Sequence, residues 1–230
     1  MSMKSTEFGE KYWNYYLNLE SDFLNTQRYI SIDPDNYYAF SIEYAKQYQT
    51  ICSELDVICK QYCKFLSEPK SALNILGYAN VILNENSKDI KTKIVKMKNI
   101  SSIIITPWKD WNSDPNNPFD RNNPKNNSPV WWTMYNKVKH NRTSSDEHGK
   151  EFFKHANLFN TMSALAGLFI IEMFFYKDIV LSEGDEITKP DRPSKLFFLK
   201  DWEEHITIFG NGLLTIGKKD SKDYPEVSLI

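Results

Sequence analysis

The sequence predicts a mainly α protein: a helical bundle with a small β insertion and a C-terminal β-hairpin. Three observations carry this. Apolar residues recur at helical spacing from about Asn36 to Leu66, the strongest periodic pattern in the chain. The run Leu158–Tyr176, LFNTMSALAGLFIIEMFFY, is apolar on nearly every side, as a helix at the centre of a bundle must be. Between them IKTKIVKMKN, residues 90–99, alternates lysine with apolar residues, the period of a half-buried strand.

Taken in order, Phe8 to about Tyr29 reads as an amphipathic helix with Tyr12, Tyr15, Tyr16, Leu19 and Phe23 as its apolar stripe. IDPDN breaks it, with Pro34 and Asp35 as turn and cap signals. The long helix to Leu66 follows, with Asp56 and Lys60 as an i,i+4 pair on its wet side. Glu54, on the same helix, is either exposed or bonded to Asn157 or Asn160. A shorter helix covers Ala72–Leu83. The β insertion spans about 90–111, where ISSIIITPW is β-branched and suited to pair with the lysine-alternating strand. Lys91, Lys93, Lys96 and Lys98 read as a solvated strand face or a protected edge.

Residues 112–129 form an Asn/Pro-rich loop, because asparagine and proline at that density forbid regular structure. Helix returns at Pro129–Val130, where proline suits the first turn, and runs to about His140 or Arg142. Thr143–Gly149 reads as a break, with Ser144, Ser145 and Asp146 as caps for a last helix from about Glu151 to Tyr176. A β-rich addition at about 195–218 contains two β-prone runs around Gly210-Asn211-Gly212, a hairpin signal. A single domain over 1–230 is the expectation.

Composition narrows the class. With 41% hydrophobic, 14% aromatic and 25% charged residues, the chain has the aromatic content to fold around a core. A net charge of −2 supplies no global pull toward nucleic acid or anionic membrane, so any such contact must come from a local patch. Three cysteines, Cys52, Cys59 and Cys63, fall at helical spacing and read as buried reduced thiols. MSMKSTEFGEKYW lacks the apolar run of a signal peptide. The 158–176 run has spanning length but contains Asn160 and Glu172, which favours a buried helix over a membrane span. A cytoplasmic protein without membrane partner is the expectation.

The stretch with most chemistry is WWTMYNKVKHNR, Trp131–Arg142. On a helix, Trp131, Tyr135, Val138 and Arg142 share one face, and Trp132, Asn136, Lys139, His140 and Thr143 the neighbouring one. One reading is structural: a packed helix whose cationic end suits the negative pole of its dipole. The other is catalytic. A metal-free ribonuclease needs a base for the ribose 2′-hydroxyl and a cation for the crowded phosphorane. His140 supplies the first, Arg142 or Lys139 the second, and Trp132 a surface on which a base stacks. His140, His148 and His155, with Asp146 and Glu147, lack the tight i,i+3 or i,i+4 pairing of a metal site. Neither a metal nor another cofactor is predicted.

The helical segments, the YNKVKHNR helix end and the ANLFNTMSALAGLFII helix together resemble the HEPN superfamily of small helical bundles, over about residues 8–83 and 128–176. The family motif is an arginine, commonly followed by a polar residue, with a histidine a few positions on. Asn136 and His140 match its polar and histidine positions, while Tyr135 stands where the arginine belongs. A second placement, Arg142 to His148, keeps both arginine and histidine but lacks the asparagine. The resemblance implies a metal-independent endoribonuclease in phage defence or a toxin–antitoxin system, with RNA, a second copy of the chain and an antitoxin protein as partners. His140, Arg142, Asn136 and Lys139 would then be catalytic, and Trp132, Tyr135 and His148 substrate-binding. Some HEPN-like domains are non-catalytic, so a helical interaction or dimerisation module stands as the alternative.

Overall fold

A computed structural model describes residues 3–67, 74–85, 89–100, 102–112, 127–186 and 188–202. The architecture is mainly α with a small three-stranded antiparallel sheet.

The first helical run is α1 (Ser5–Phe8), a π turn at Gly9–Trp13 and α2 (Asn14–Asn25). The π turn alters which residues face inward. A wider turn brings positions five apart onto one side, so Phe8 and Trp13 are both buried with Tyr16, Leu19 and Phe23, while Tyr15 is exposed. A uniform helical period places Tyr12 and Tyr15 on the stripe; Tyr12 does pack at the edge of the core, while the π turn brings Trp13 fully inside and leaves Tyr15 outside.

α3 (Ile42–Leu66) starts later than Asn36 because Pro34–Asn36 forms its own 3-10 turn, with the Asp33 carboxylate accepting the Asp35 N–H. Ser41 caps α3, its hydroxyl oxygen accepting the Tyr44 N–H at 3.0 Å, a contact that contributes about 1 kcal/mol. The buried face is a three-and-four-spaced stripe that includes Tyr48, Ile51, Cys52, Leu55, Ile58, Cys59 and Tyr62. α4 (Ile75–Glu85) and α5 (Asp89–Thr92) lead to the sheet.

β1 (Val95–Met97) pairs antiparallel with β2 (Ile104–Ile105) and with β3 (Phe197–Leu199), in the order β2-β1-β3. Val95 and Met97 are buried; Lys96, opposite Ile104 and Phe198, lies on the outer face. The insertion's sheet thus takes a strand from the C-terminal segment. The hairpin expected around Gly210-Asn211-Gly212 lies outside the described residues, as does most of the Asn/Pro-rich loop. Buried Glu20 on α2 holds the β3 approach: its carboxylate accepts N–H groups of Lys195 at 2.7 Å and Leu196 at 3.3 Å, and the hydroxyls of Tyr16 and Ser194.

α6 (Val130–Asn141) and α7 (Leu158–Ser182) complete the bundle. α7 begins seven residues beyond Glu151 because Phe152–His155 forms a 3-10 turn and Asn157 is the cap, its side chain accepting the Asn160 N–H at 2.9 Å. Ser144, Ser145 and Asp146 therefore do not cap it. From Leu158 to Phe175 the helix is buried on all sides but Phe159. Among the described residues, no helix is long and apolar enough to cross a membrane.

Tryptophans lock α6 against this rod. The Trp108 Nε1 donates to the Gly167 carbonyl at 3.0 Å, Trp131 Nε1 to Pro107 at 2.8 Å, and Trp111 Nε1 to Ile75 at 2.8 Å. Indole is apolar but must satisfy its one donor when buried. Each ring here fills core volume and finds a backbone oxygen on a neighbouring segment. Gly167 permits the approach: a Cβ there would meet Trp131 Cζ2 at 3.1 Å and Trp108 Cζ2 at 3.3 Å.

Candidate functional site

The position of the α6 end follows from its first half. Trp131, Trp132, Tyr135 and Val138 are buried. The Tyr48 hydroxyl donates to the Trp131 carbonyl, and the Tyr48 and Tyr135 rings meet edge-on at 5.9 Å. With that face fixed, the helical repeat carries Asn136, Lys139 and His140 toward solvent, and both Lys139 and His140 are exposed.

A cleft of about 610 Å³ runs along this side. α6 lines it with Trp132, Tyr135, Asn136, Lys137, Lys139 and His140; Ser53 and Asp56 of α3 and Ile75 of α4 form the facing wall. Among the described residues its one carboxylate is Asp56, which is occupied by the Lys60 amine and by the Tyr78 hydroxyl at 2.7 Å. Lys137 and Lys139 have no ion pair among the described residues. Their ammonium groups lie over aromatic rings instead, Lys137 at 4.7 Å from the Phe152 centroid and Lys139 at 5.6 Å from that of Tyr135. Ring faces hold ammonium groups without neutralising them, so the described lining of the cleft keeps two ammonium charges against one paired carboxylate.

Trp132 lies against Tyr135 and Trp131 and is only 7% exposed, so it offers the cleft little surface on which a base could stack. Tyr135 is a wall: burial, with Cys52 and Asp56 nearby, pushes its phenol up to about 12, and it stays protonated. Asn136 donates one amide hydrogen to the Trp132 carbonyl at 3.2 Å, leaving its second amide hydrogen and its side-chain oxygen with hydrogen-bonding capacity to spare.

Arg142 and His148 lie elsewhere. Arg142 lines a second cleft, of about 620 Å³, with Ile42, Lys46, Glu151 and Phe153. His148 sits in a turn, its side chain 83% exposed and 3.6 Å from Glu147, and lines neither cleft. The Asp146 carboxylate holds that turn by accepting the N–H groups of His148 and Lys150, each at 2.9 Å. The structure brings Asn136, Lys139, His140, Trp132 and Tyr135 together and sets Arg142 and His148 apart from them.

Lys137 and the α3–α4 wall are the parts that sequence reasoning did not assign. Lys137 lay within the quoted stretch, but the helical wheel grouped it with neither stripe. Asp56 was legible only as a partner of Lys60; its bond to Tyr78 depends on how α4 folds back.

Behind the cleft lie two glutamates. Glu54 lines a recess of about 370 Å³ that shares Ser53, Tyr135 and Lys139 with the main cleft. Partial burial raises its carboxyl. It does not bond Asn157, which caps α7, or Asn160, whose amide donates to the His155 carbonyl. Glu172 on α7 is completely buried, and neither of its carboxyl oxygens has a partner. Burial, reinforced by the Glu54 charge, pushes it well above the usual carboxylate range and favours its protonated, uncharged form.

Cys52, Cys59 and Cys63 are free, buried thiols, raised by burial, Cys63 to about 12. Thiols held protonated are poor nucleophiles. Among the described residues no group of three His, Cys, Asp or Glu side chains could hold a metal ion. Comparisons with protein-family models, with curated proteins and with solved structures return no match to this chain.

Proposed function

We propose that the α6 cleft binds single-stranded RNA and cleaves it without a metal. The observation that carries the proposal is the placement of exposed His140 beside Lys139 and Lys137, in a cleft whose one described carboxylate is already paired. The imidazole takes the proton of a ribose 2′-hydroxyl. The 2′-oxygen attacks the adjacent phosphorus, the bond to the 5′-oxygen breaks, and that oxygen is protonated from solvent. The products are a 2′,3′-cyclic phosphate and a 5′-hydroxyl. Lys139 and Lys137 offset the charge of the phosphorane, and the Asn136 side-chain oxygen orients the ribose.

Lysine here takes the place that the HEPN-like motif gives to arginine. A lysine is a point charge without arginine's two-pronged fork, so the proposal implies looser phosphate positioning and modest turnover. The test is incubation of a mixed RNA pool with the full chain in EDTA, wild type against His140→Ala. Wild-type fragmentation that the variant lacks is the predicted result. Identical profiles at high protein concentration would remove the catalytic role and leave a binding or dimerisation module.

A further inference from the structure

On the far side of the α6 end lies an exposed face that the cleft does not use. Tyr38 is 78% exposed, Ile42 68% and Phe40 44%. They belong to one surface. Phe40 packs edge-on against Phe153 at 5.9 Å. Phe153 donates its N–H to the Arg142 carbonyl at 3.1 Å and lines the second cleft with Ile42 and Arg142. The Lys150 amine stands 5.8 Å from the Tyr38 ring.

The segment bearing these rings is held in place: Leu158 and Phe159, in the first turn of α7, donate their N–H groups to the carbonyls of Ala39 and Tyr37 at 2.9 and 3.1 Å. Rings carried into solvent by an anchored backbone, beside cations, fit a partner with flat apolar faces and a negative backbone. The charges agree with this. Arg142 has no ion pair or side-chain hydrogen bond among the described residues. Of the acids nearby, Glu43 is engaged by Lys46 at 3.7 Å, which leaves Glu151 as the opposing charge on the second cleft. His140 and Asn141 end the first cleft and Arg142 begins the second, so one cationic helix end joins the two.

We infer that an RNA strand held in the α6 cleft continues across Arg142 and stacks its bases on Tyr38 and Phe40. The inference rests on the RNA reading of the α6 cleft and adds to it a substrate length: the site takes an extended single strand, not a dinucleotide. Arg142, removed from the cleft of His140, has its place here as the phosphate contact between the two parts. The platform is sequence-tolerant, because every base presents a π-face.

The experiment measures fluorescence anisotropy of 2′-O-methyl oligouridylates, which lack the attacking hydroxyl, at lengths of about 4 and about 12 nucleotides. Wild type is predicted to prefer the longer oligomer by about tenfold or more, and the Tyr38→Ala/Phe40→Ala double variant to lose that preference. Tyr38→Trp, which restores a ring, keeps it. Lys139→Ala weakens both lengths. If the double variant retains the wild-type preference while Lys139→Ala weakens both oligomers, the platform is refuted and the cleft reading stands. Binding of the longer oligomer that depends on Tyr38 and Phe40 but not on Lys139 refutes the cleft reading and, with it, the continuous strand inferred here, leaving the rings as a separate binding surface. If light scattering shows the double variant converting a dimer to a monomer with its length preference intact, the face is a protein contact and the inference is overturned.

Discussion

The first half of α6 and its last turn are built on opposite terms. At one end, Trp131 has its indole N–H bonded to Pro107, its carbonyl bonded by Tyr48 and its ring against Gly167 and Trp108. At the other, Lys139, His140 and Arg142 are exposed and unpaired among the described residues. A cationic helix end gains only a few tenths of a kcal/mol to about 1 kcal/mol from its dipole, so fold stability does not require this concentration of charge. The rigid half fixes where the charged half points, and placing polar groups on a rigid element is what a binding site needs.

The largest effect is expected at the buried end. Trp131→Ala removes a core indole and the partner of Pro107, and should cost about 3–5 kcal/mol in chemical denaturation. A loss under about 1 kcal/mol would mean that the ring does not anchor α6. Gly167→Ala gains about 1 kcal/mol of helix propensity, but drives a methyl against two indoles that hydrogen bonds hold in place. Overpacking of this kind costs about 1–3 kcal/mol, so a net loss of stability is the predicted outcome, and a net gain would show that the rings move aside.

Glu172 makes the stability of the buried core depend on pH. Its folded-state pKa is raised, so the folded chain keeps a proton that the unfolded chain releases. The sign follows: this group's effect favours the fold below the ordinary carboxylate range, near pH 4.3, and is lost as pH rises toward the raised value. The slope from one such group is at most about 1.4 kcal/mol per pH unit. Glu172→Gln, fixed in the neutral form, should flatten this part of the stability–pH profile and exceed wild type in stability at neutral pH. Parallel profiles would indicate that Glu172 finds a charged or hydrogen-bonding partner in solution.

The smallest effect on stability is predicted at the open end. Lys139→Ala should change unfolding free energy by no more than about 0.5 kcal/mol and shift RNA binding instead, lowering the slope of log affinity against log salt by about 0.7 for a single strand. A large stability loss with an unchanged salt slope would make Lys139 a structural residue.

How much of this was legible depended on whether the signal was local. The α3 stripe and the buried length of α7 follow directly from three-and-four spacing. The same spacing grouped Asn136, Lys139 and His140, which line one cleft, apart from Arg142. It also grouped Thr143 with them and Tyr135 with Arg142, whereas Thr143 lines the Arg142 cleft and Tyr135 that of His140. It failed at Gly9–Trp13, because a π turn leaves no mark in apolar periodicity and only the structure shows Trp13 turning inward. It failed at Glu151–Asn157, where the apolar FFKHA extends the helical pattern and hides the Asn157 cap. The pairing of β3 with β1 and the Asp56–Tyr78 wall join positions distant in sequence, which no short window can relate. The candidate site was thus half visible, its α6 side from spacing and its α3–α4 side only from packing.

The decisive step is the attack of a ribose 2′-hydroxyl in the cleft of His140. The direct measurement uses a short RNA oligomer of defined sequence, incubated with the full chain in EDTA, and the same oligomer with a single 2′-deoxy nucleotide at the mapped cleavage position. The account predicts that the all-ribose strand yields a 2′,3′-cyclic phosphate and a 5′-hydroxyl, and that the single deoxy substitution abolishes the cut. Equal cleavage of both strands, or no cleavage of either, contradicts it.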